Sequence, residues 1–361
     1  MKVIMTGGGT GGHIYPAVAI ADEIRRRVPD AEIIFVGTER GMEKDIVPKA
    51  GYPIRFITVS GLDRKNPVKL VKTLKDLSKG IHEARRILYE FRPDLVIGTG
   101  GYVCGPVMKC AAEMGIPTYI HEQNAFPGLT NKLLSRGADR VFVAFDEAAA
   151  YFKTRKPPVT VGNPVRKAFA ETDREAARAS LGVGPDEFMV LSFGGSLGAK
   201  KINDEMLAVT RKLKDRKGLR IFFVTGRRYY RVITENTDQN DGRVRYLEYI
   251  DDMPKYLNAC DLAVTRSGAL TVSEITACGR ASIMIPSPYV TNNHQYFNAK
   301  VVADRGGSIL IEEKELEEGV LAEIIEELMA DPERVRKMEA ASKQLGTISA
   351  ADTICSMIGI E

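Results

Sequence analysis

Short apolar runs alternate with longer amphipathic stretches along the whole chain, a pattern that predicts parallel sheets flanked by helices. In the first half the strands fall at Val3–Thr6, Glu32–Gly37, Ile54–Val59, Leu95–Gly98, Thr118–His121 and Val141–Ala144. Between them come a helix opened by Pro16 at a first-turn position, one over Met42–Ala50, a long one from Pro67 to Phe91, and others at Pro106–Met114 and Gly128–Arg136. The second half repeats the plan, with strands at Met189–Phe193, Ile221–Thr225, Val244–Leu247, Leu262–Thr265, Ser282–Ile285 and Ser308–Leu310. The tail Asp331–Glu361 has the pattern of two helices.

Length turns this repetition into two domains, because 361 residues exceed one ordinary core. The proline-dense stretch Pro157–Pro164 marks the junction. The expected division is residues 1–163, residues 164–343, and a last segment 344–361 that returns to the first domain. Apolar content of 44% with 27% charged residues is that of a water-soluble globular chain. The five cysteines form no C-x-x-C pair, which points to a reducing compartment. The apolar start Val3-Ile4-Met5 is too short for a signal peptide, and no apolar run approaches the roughly 20 residues that span a bilayer.

Two glycine-rich loops stand where a strand hands over to a helix. Thr6-Gly7-Gly8-Gly9-Thr10-Gly11-Gly12-His13 follows the first strand, and Gly194-Gly195-Ser196-Leu197-Gly198-Ala199 follows Met189–Phe193. Glycines let the backbone approach a ligand, and the helix that follows turns N–H groups and a positive dipole end toward it. One such device per half suggests two similar α/β domains facing each other across a cleft. The first loop also fits G-x-G-x-x-G as Gly7, Gly9 and Gly12, with Glu39 beyond the second strand, so an NAD-dependent oxidoreductase is an alternative. His13 is outside that fingerprint. A histidine at a helix N-terminus is held toward its neutral form and suits a base working near pH 7.

The second half is denser in candidate chemistry. Arg266-Ser267-Gly268-Ala269-Leu270-Thr271-Val272-Ser273-Glu274 follows a strand and begins a helix. Its small residues leave room for phosphate oxygens, and Glu274 is placed to accept from ribose hydroxyls. Asn292-Asn293-His294-Gln295 with Asn298 offers amides that suit sugar hydroxyls. In the first half, His121-Glu122-Gln123-Asn124 is a polar cluster at a strand's carboxyl end, and Gly98–Pro106 is a third glycine tract. Arg166, in Gly162-Asn163-Pro164-Val165-Arg166, is placed to meet a diphosphate. No Asp-x-Asp occurs, so the usual metal ligands for a sugar diphosphate are missing and leaving-group charge falls to helix dipoles and Arg166.

Charge is unevenly spread. Arg64, Lys65, Lys69, Lys72, Lys75, Lys79, Arg85, Arg86 and Arg92 stand against Asp76, Glu83 and Glu90, a local excess larger than the +4 of the whole chain. Val68, Leu70, Val71, Leu74 and Leu77 are interleaved at near-helical spacing. A basic amphipathic helix fits either an anionic membrane surface or a solvated face over a core. Aromatic residues are not interleaved with the charge, which argues against nucleic acid.

These motifs, in this order across nearly the whole chain, resemble those of the bacterial peptidoglycan N-acetylglucosaminyltransferases, enzymes of GT-B fold. The series is Gly8–His13, Gly100-Gly101-Tyr102, His121–Asn124, Gly162–Arg166, Gly194–Ser196, Asp251-Asp252-Met253, Arg266–Glu274, and His294-Gln295 with Asn298-Ala299. The resemblance implies transfer of GlcNAc from UDP-GlcNAc to the 4-hydroxyl of MurNAc in undecaprenyl-diphosphate-MurNAc-pentapeptide, with inversion and no cofactor. It implies uracil near Ile250, ribose on Glu274, and diphosphate at Ser196, Arg166 and the Ala269-Leu270-Thr271 turn. The sugar is implied at Gln295 and Asn124. Thr10, Gly11, Gly12, Gly100, Gly101 and Tyr102 form the acceptor site, the first three also lying beside the donor, with His13 as base and Glu122 as the other candidate. It further implies attachment to the anionic cytoplasmic face of the cell membrane, in company with other cell-wall synthesis proteins. A non-catalytic nucleotide-sugar-binding subunit and a sugar-nucleotide epimerase are the further alternatives.

Overall fold

The computed structural model describes residues 1–61, 67–239 and 241–361, and the side chains of residues 67–72 fall outside the description. The chain divides into two compact units, Met1–Pro164 with Ile348–Glu361, and Val165–Thr347. The changes of unit fall after residues 164 and 347, against the expected 163 and 343. The helix Pro332–Leu345 carries the second unit past residue 343.

Unit 1 holds a seven-stranded parallel sheet of β1 (Lys2–Gly7), β2 (Glu32–Gly37), β3 (Ile54–Phe56), β4 (Leu95–Gly100), β5 (Thr118–Glu122), β6 (Arg140–Val143) and β7 (Val159–Thr160), ordered 3-2-1-4-5-6-7. The strands are apolar on both faces because helices cover both. On one face Ile4, Val36, Val96, Ile120 and Val141 pack against Ala84, Ile87 and Leu88 of the helix Pro67–Phe91. On the other, Val3, Met5, Phe35, Ile97 and Phe142 meet Ile14, Ala17, Ile20 and Ile24 of the helix Gly11–Arg27, with Ile354 and Cys355 of the helix Ala350–Met357. Arg27 fastens that last helix, donating to Ser356 Oγ at 3.0 Å and to the Asp352 carboxylate at 2.6 Å.

Three local expectations are corrected. The first helix begins at Gly11, not at Pro16, which lies in its interior. Proline there cannot donate to the Gly12 carbonyl, a loss confined to one bond near the helix start. β7 occupies the proline-dense junction, where two residues pair with β6 between the prolines. β3 is also shorter than expected, ending at Phe56.

Unit 2 holds a six-stranded parallel sheet of β8 (Phe188–Phe193), β9 (Leu219–Val224), β10 (Val244–Leu247), β11 (Leu262–Thr265), β12 (Ala281–Met284) and β13 (Ser308–Leu310), ordered 10-9-8-11-12-13. Its core joins Val190, Ile221, Phe223, Val264 and Ile283 to Ile202, Met206 and Val209 of the helix Lys200–Lys212. In each sheet the strand order reverses beside the first strand, between β1 and β4 and between β8 and β11. Open α/β sheets bind ligands at the carboxyl edge of that point.

Candidate active site

In unit 1 three loops leave the carboxyl ends of the adjacent strands β1, β4 and β5. β1 slips register against β4 between Thr6 and Gly7, so that Gly7 pairs with Gly100 and the two glycine loops touch. Gly8 N–H donates to the Gly100 carbonyl at 3.3 Å. A Cβ on Gly101, whose φ is +85°, would stand 2.3 Å from the Gly8 carbonyl oxygen, so this contact admits glycine alone. The Tyr102 ring lies 3.4 Å from where a Gly9 Cβ would stand. Thr10 precedes the helix, and Gly11 and Gly12 form its first turn.

His13 is partly buried one residue further on. Its Nδ1 lies 3.2 Å from the Gly8 carbonyl oxygen and 3.5 Å from Thr10 Oγ1. A carbonyl oxygen only accepts, so the contact with Gly8 is a hydrogen bond in the tautomer that carries its proton on Nδ1, and that tautomer leaves Nε2 as the basic nitrogen. The ring also faces Gly100, whose Cβ would meet His13 Nε2 at 3.1 Å and Asn131 Nδ2 at 3.3 Å.

Glu122 has a different setting. It is buried at the end of β5 and accepts from Asn124 N–H at 3.0 Å, Asn124 Nδ2 at 3.1 Å, Gly128 N–H at 3.1 Å and Asn131 Nδ2 at 2.9 Å. Four donors hold this carboxylate to its own loop. His121 beneath it donates from Nε2 to the Gly162 carbonyl at 2.9 Å, and burial pushes its pKa down to about 4. It is a neutral structural histidine.

Unit 2 presents the ends of β8, β11 and β12 side by side, each leading to a helix: Lys200–Lys212, Ala269–Cys278 and His294–Asp304. Gly198 and Gly226 pack backbone to backbone, a Gly198 Cβ falling 2.1 Å from the Thr225 carbonyl oxygen. Ser196 stands exposed on the first of these loops. Ser267 joins the other two, its Oγ donating to the Gln295 carbonyl at 2.8 Å while Asn298 Nδ2 donates to the Ser267 carbonyl at 3.2 Å. Arg266 donates to the carbonyls of Ile285 and Pro286 and pairs with Glu313. It therefore braces the edge.

Ala269, Leu270 and Thr271 form the first turn of their helix, and Glu274 follows half-buried on it. Glu274 has no hydrogen-bond partner among the described residues. Burial pushes its carboxyl up to about 7, against the pull of Arg166. The exposed Arg166 guanidinium lies 5.2 Å from the Phe169 ring centroid. Gln295 Oε1 accepts from Ser287 N–H at 2.9 Å. Ile250 is buried beyond β10 on the same edge.

Sequence reasoning missed Glu43, Thr99 and Asn131. Glu43 is fully buried and reaches Gly9 N–H at 3.0 Å, whereas Glu39, the acid considered for a ribose, is exposed. The available signal was an acid opening the helix just beyond β2. Thr99 Oγ1 donates to the His13 carbonyl at 2.7 Å and closes the same corner.

Residues 3–143 match the glycosyltransferase family 28 N-terminal domain, and residues 189–354 match the family's C-terminal domain. The chain belongs to glycosyltransferase family 28. A relative in Alkaliphilus oremlandii, the UDP-N-acetylglucosamine--N-acetylmuramyl-(pentapeptide) pyrophosphoryl-undecaprenol N-acetylglucosamine transferase, is 47% identical and covers 99% of this chain and 98% of its own. The crystal structure of Acinetobacter baumannii MurG superposes with a TM-score of 0.83 at 28% identity, over 99% of both chains. A UDP-GlcNAc 2-epimerase from Neisseria meningitidis, bound to UDP-GlcNAc, has a TM-score of 0.70 at 14% identity over 99% of both chains, a likeness of fold alone. The expected α/β, GT-B fold class is borne out, as is the expected resemblance. Family membership places the first glycine loop in a glycosyltransferase rather than a dehydrogenase.

Proposed function

We propose that this protein is an inverting hexosyltransferase of peptidoglycan synthesis, moving GlcNAc from UDP-GlcNAc to the MurNAc 4-hydroxyl of undecaprenyl-diphosphate-MurNAc-pentapeptide (lipid I) to give lipid II. The observation that carries this reading is the 47% identity, end to end, with a transferase named for that reaction. The geometry supports it by leaving in unit 2 the acceptors and donors a sugar nucleotide would engage. Glu274 takes the ribose hydroxyls, and Ile250 lies near uracil. Ser196, Arg166 and the Ala269-Leu270-Thr271 turn hold the diphosphate, while Gln295 holds the sugar; Asn124, the other residue assigned to the sugar, belongs to unit 1. Thr10, Gly11, Gly12, Gly100, Gly101 and Tyr102 hold the acceptor.

His13 Nε2 takes the proton of the MurNAc 4-hydroxyl as its oxygen attacks the GlcNAc anomeric carbon. The bond from that carbon to UDP breaks on the opposite face, the electron pair leaves with UDP, and a β-1,4 linkage results. Glu122 acts by holding the loop to Asn131, since its four hydrogen bonds leave it poorly placed to accept a substrate proton. Charge on the departing UDP is met by helix N-termini and Arg166. The test is UDP release and linkage of the product: release should require the lipid acceptor. Consumption of UDP-GlcNAc without acceptor would favour the epimerase reading, and binding without turnover the non-catalytic one.

The protein works at the cytoplasmic face of the cell membrane, held peripherally by anionic lipid near other cell-wall synthesis proteins. Among the described residues no helix is long and apolar enough to cross a membrane. Of the basic stretch, Arg64 and Lys65 lie outside the described residues, as do the side chains of Lys69 and Lys72. Lys79, Arg85 and Arg86 pair with Glu83, Glu113 and Glu90, and Leu74 is exposed. Reversal of Lys69, Lys72 and Lys75 to glutamate should abolish co-sedimentation with anionic vesicles while turnover of a short-chain soluble acceptor persists. Vesicle binding that survives the change and ignores salt would refute the attachment.

A further inference from the structure

We infer that Glu43 is a positioning residue that acts on His13 through the Gly8–Gly9 peptide group. The inference rests on the proposal that His13 is the base. Glu43 Oε2 accepts from the Gly9 N–H at 3.0 Å. The carbonyl of that same peptide, on Gly8, accepts from His13 Nδ1 at 3.2 Å. Carboxylate, peptide and imidazole thus form one hydrogen-bonded row, in which each bond polarises the next by ~10–30%. The other Glu43 oxygen is fixed by Thr38, through N–H at 2.9 Å and Oγ1 at 2.8 Å.

Three glycines make room for this side chain. A Cβ on Gly8, Gly37 or Gly41 would stand 2.6, 2.5 or 2.0 Å from Glu43 atoms. A phosphate-binding loop alone gives no reason for a buried carboxylate beneath it, since such a charge opposes an anion. The row gives one. It fixes the ring proton on Nδ1, keeps Nε2 basic, and steadies the imidazolium as the substrate proton arrives. No proton passes through the peptide.

The other titratable groups around the loop are Tyr15, Tyr102, Cys104 and Glu122. Burial pushes the Cys104 thiol up to about 12, and its sulfur is engaged by Thr6 and Gly100. Tyr15 and Tyr102 flank Gly11 and Gly9, and Glu122 is one residue removed across Asn131. Among the described residues Glu43 alone of these carboxylates bonds the peptide that His13 uses.

The test is Glu43→Gln. Its single amide oxygen can serve Thr38 or Gly9, but not both without setting NH2 against an N–H. We expect kcat to fall roughly tenfold to a hundredfold, the scale of losing a partner that orients a working histidine. Donor KM should stay within about twofold, and the acidic limb of kcat/KM should move to lower pH. Glu43→Asp, which keeps the charge, should bring the limb back toward its original position. A fall in kcat with an unmoved limb, where His13→Ala abolishes the limb, would reduce Glu43 to a loop tie and overturn the inference. A limb that survives His13→Ala would instead sink the base assignment itself. Should Glu43→Gln fail to fold, imidazole 15N NMR of the unaltered protein decides: a ring proton on Nδ1 supports the row, and one on Nε2 overturns it.

Discussion

The two units share a sheet plan and a switch point, yet they treat polar groups at that point in opposite ways. Unit 1 closes its edge on itself. Glu122 accepts four hydrogen bonds, Glu43 accepts three, and His121 is buried and neutral. Unit 2 fastens its loops by backbone contacts and by Ser267, Asn298 and Arg266, and leaves Glu274 without a hydrogen-bond donor among the described residues, with Arg166 as its charged neighbour. A carboxylate that is half-buried and lacks donors is costly, and it is retained where a ligand supplies them. On the function proposed above, unit 1 holds groups still for chemistry, and unit 2 is completed by the nucleotide sugar.

The largest test of that contrast falls on unit 1. His13→Ala should lower kcat by about 10²–10⁴, the usual worth of a positioned base, with donor KM little changed. Steady-state kinetics against each substrate checks it. A variant that keeps its rate and its acidic limb would move the proton transfer elsewhere and leave unit 1 without its assigned role.

Next in size is the ligand-completed carboxylate. Glu274→Ala should weaken UDP-GlcNAc binding by about 2–3 kcal/mol, the scale of charged hydrogen bonds to a diol, and leave acceptor KM nearly unchanged. Ribose hydroxyls donate to the ionised form, so donor affinity should rise as pH climbs through about 7. Calorimetry across that range would show it. Equal losses for both substrates would mean the two units do not divide the work in this way.

Much of this was legible in the chain. Strand positions came from apolar runs: Glu32–Gly37 and Leu262–Thr265 stand as expected and are almost wholly buried, and the edge strands Val244–Leu247 and Ser308–Leu310 stand as expected although they are only partly covered. The turns were legible because glycine leaves few other readings. Pro16 misled because proline favours a first helical turn, whereas here the glycines before it already form that turn. Glu43 was hidden because its task depends on Gly8, Gly37 and Gly41 making space together, a relation that no local pattern encodes. Glu122 showed its position but not its four donors, which come from residues 124 to 131 folding back over it.

The smallest effect divides the units by pH. Burial holds His121 at about 4, below its ordinary 6.5, so on acidification the unfolded chain takes the proton first. Its contribution is whole above 6.5 and is lost as pH falls toward 4, which loosens unit 1 in acid. Glu274 runs the other way. Its folded value of about 7 exceeds the ordinary 4.5, so the folded form takes the proton first and its burial penalty fades as pH falls from 7 to 4.5. Each effect is worth about 1–3 kcal/mol. Amide exchange corrected for intrinsic rates, compared at about pH 7.5 and about pH 5, should show protection falling in β5 and β6 and rising in the helix Ala269–Cys278. Glu274→Gln should flatten the second trend and raise protection there at the higher pH, while His121→Gln should flatten the first. Parallel trends in both units, unmoved by either substitution, would show that these two groups do not set the pH response and that the contrast between the edges ends at their hydrogen bonds.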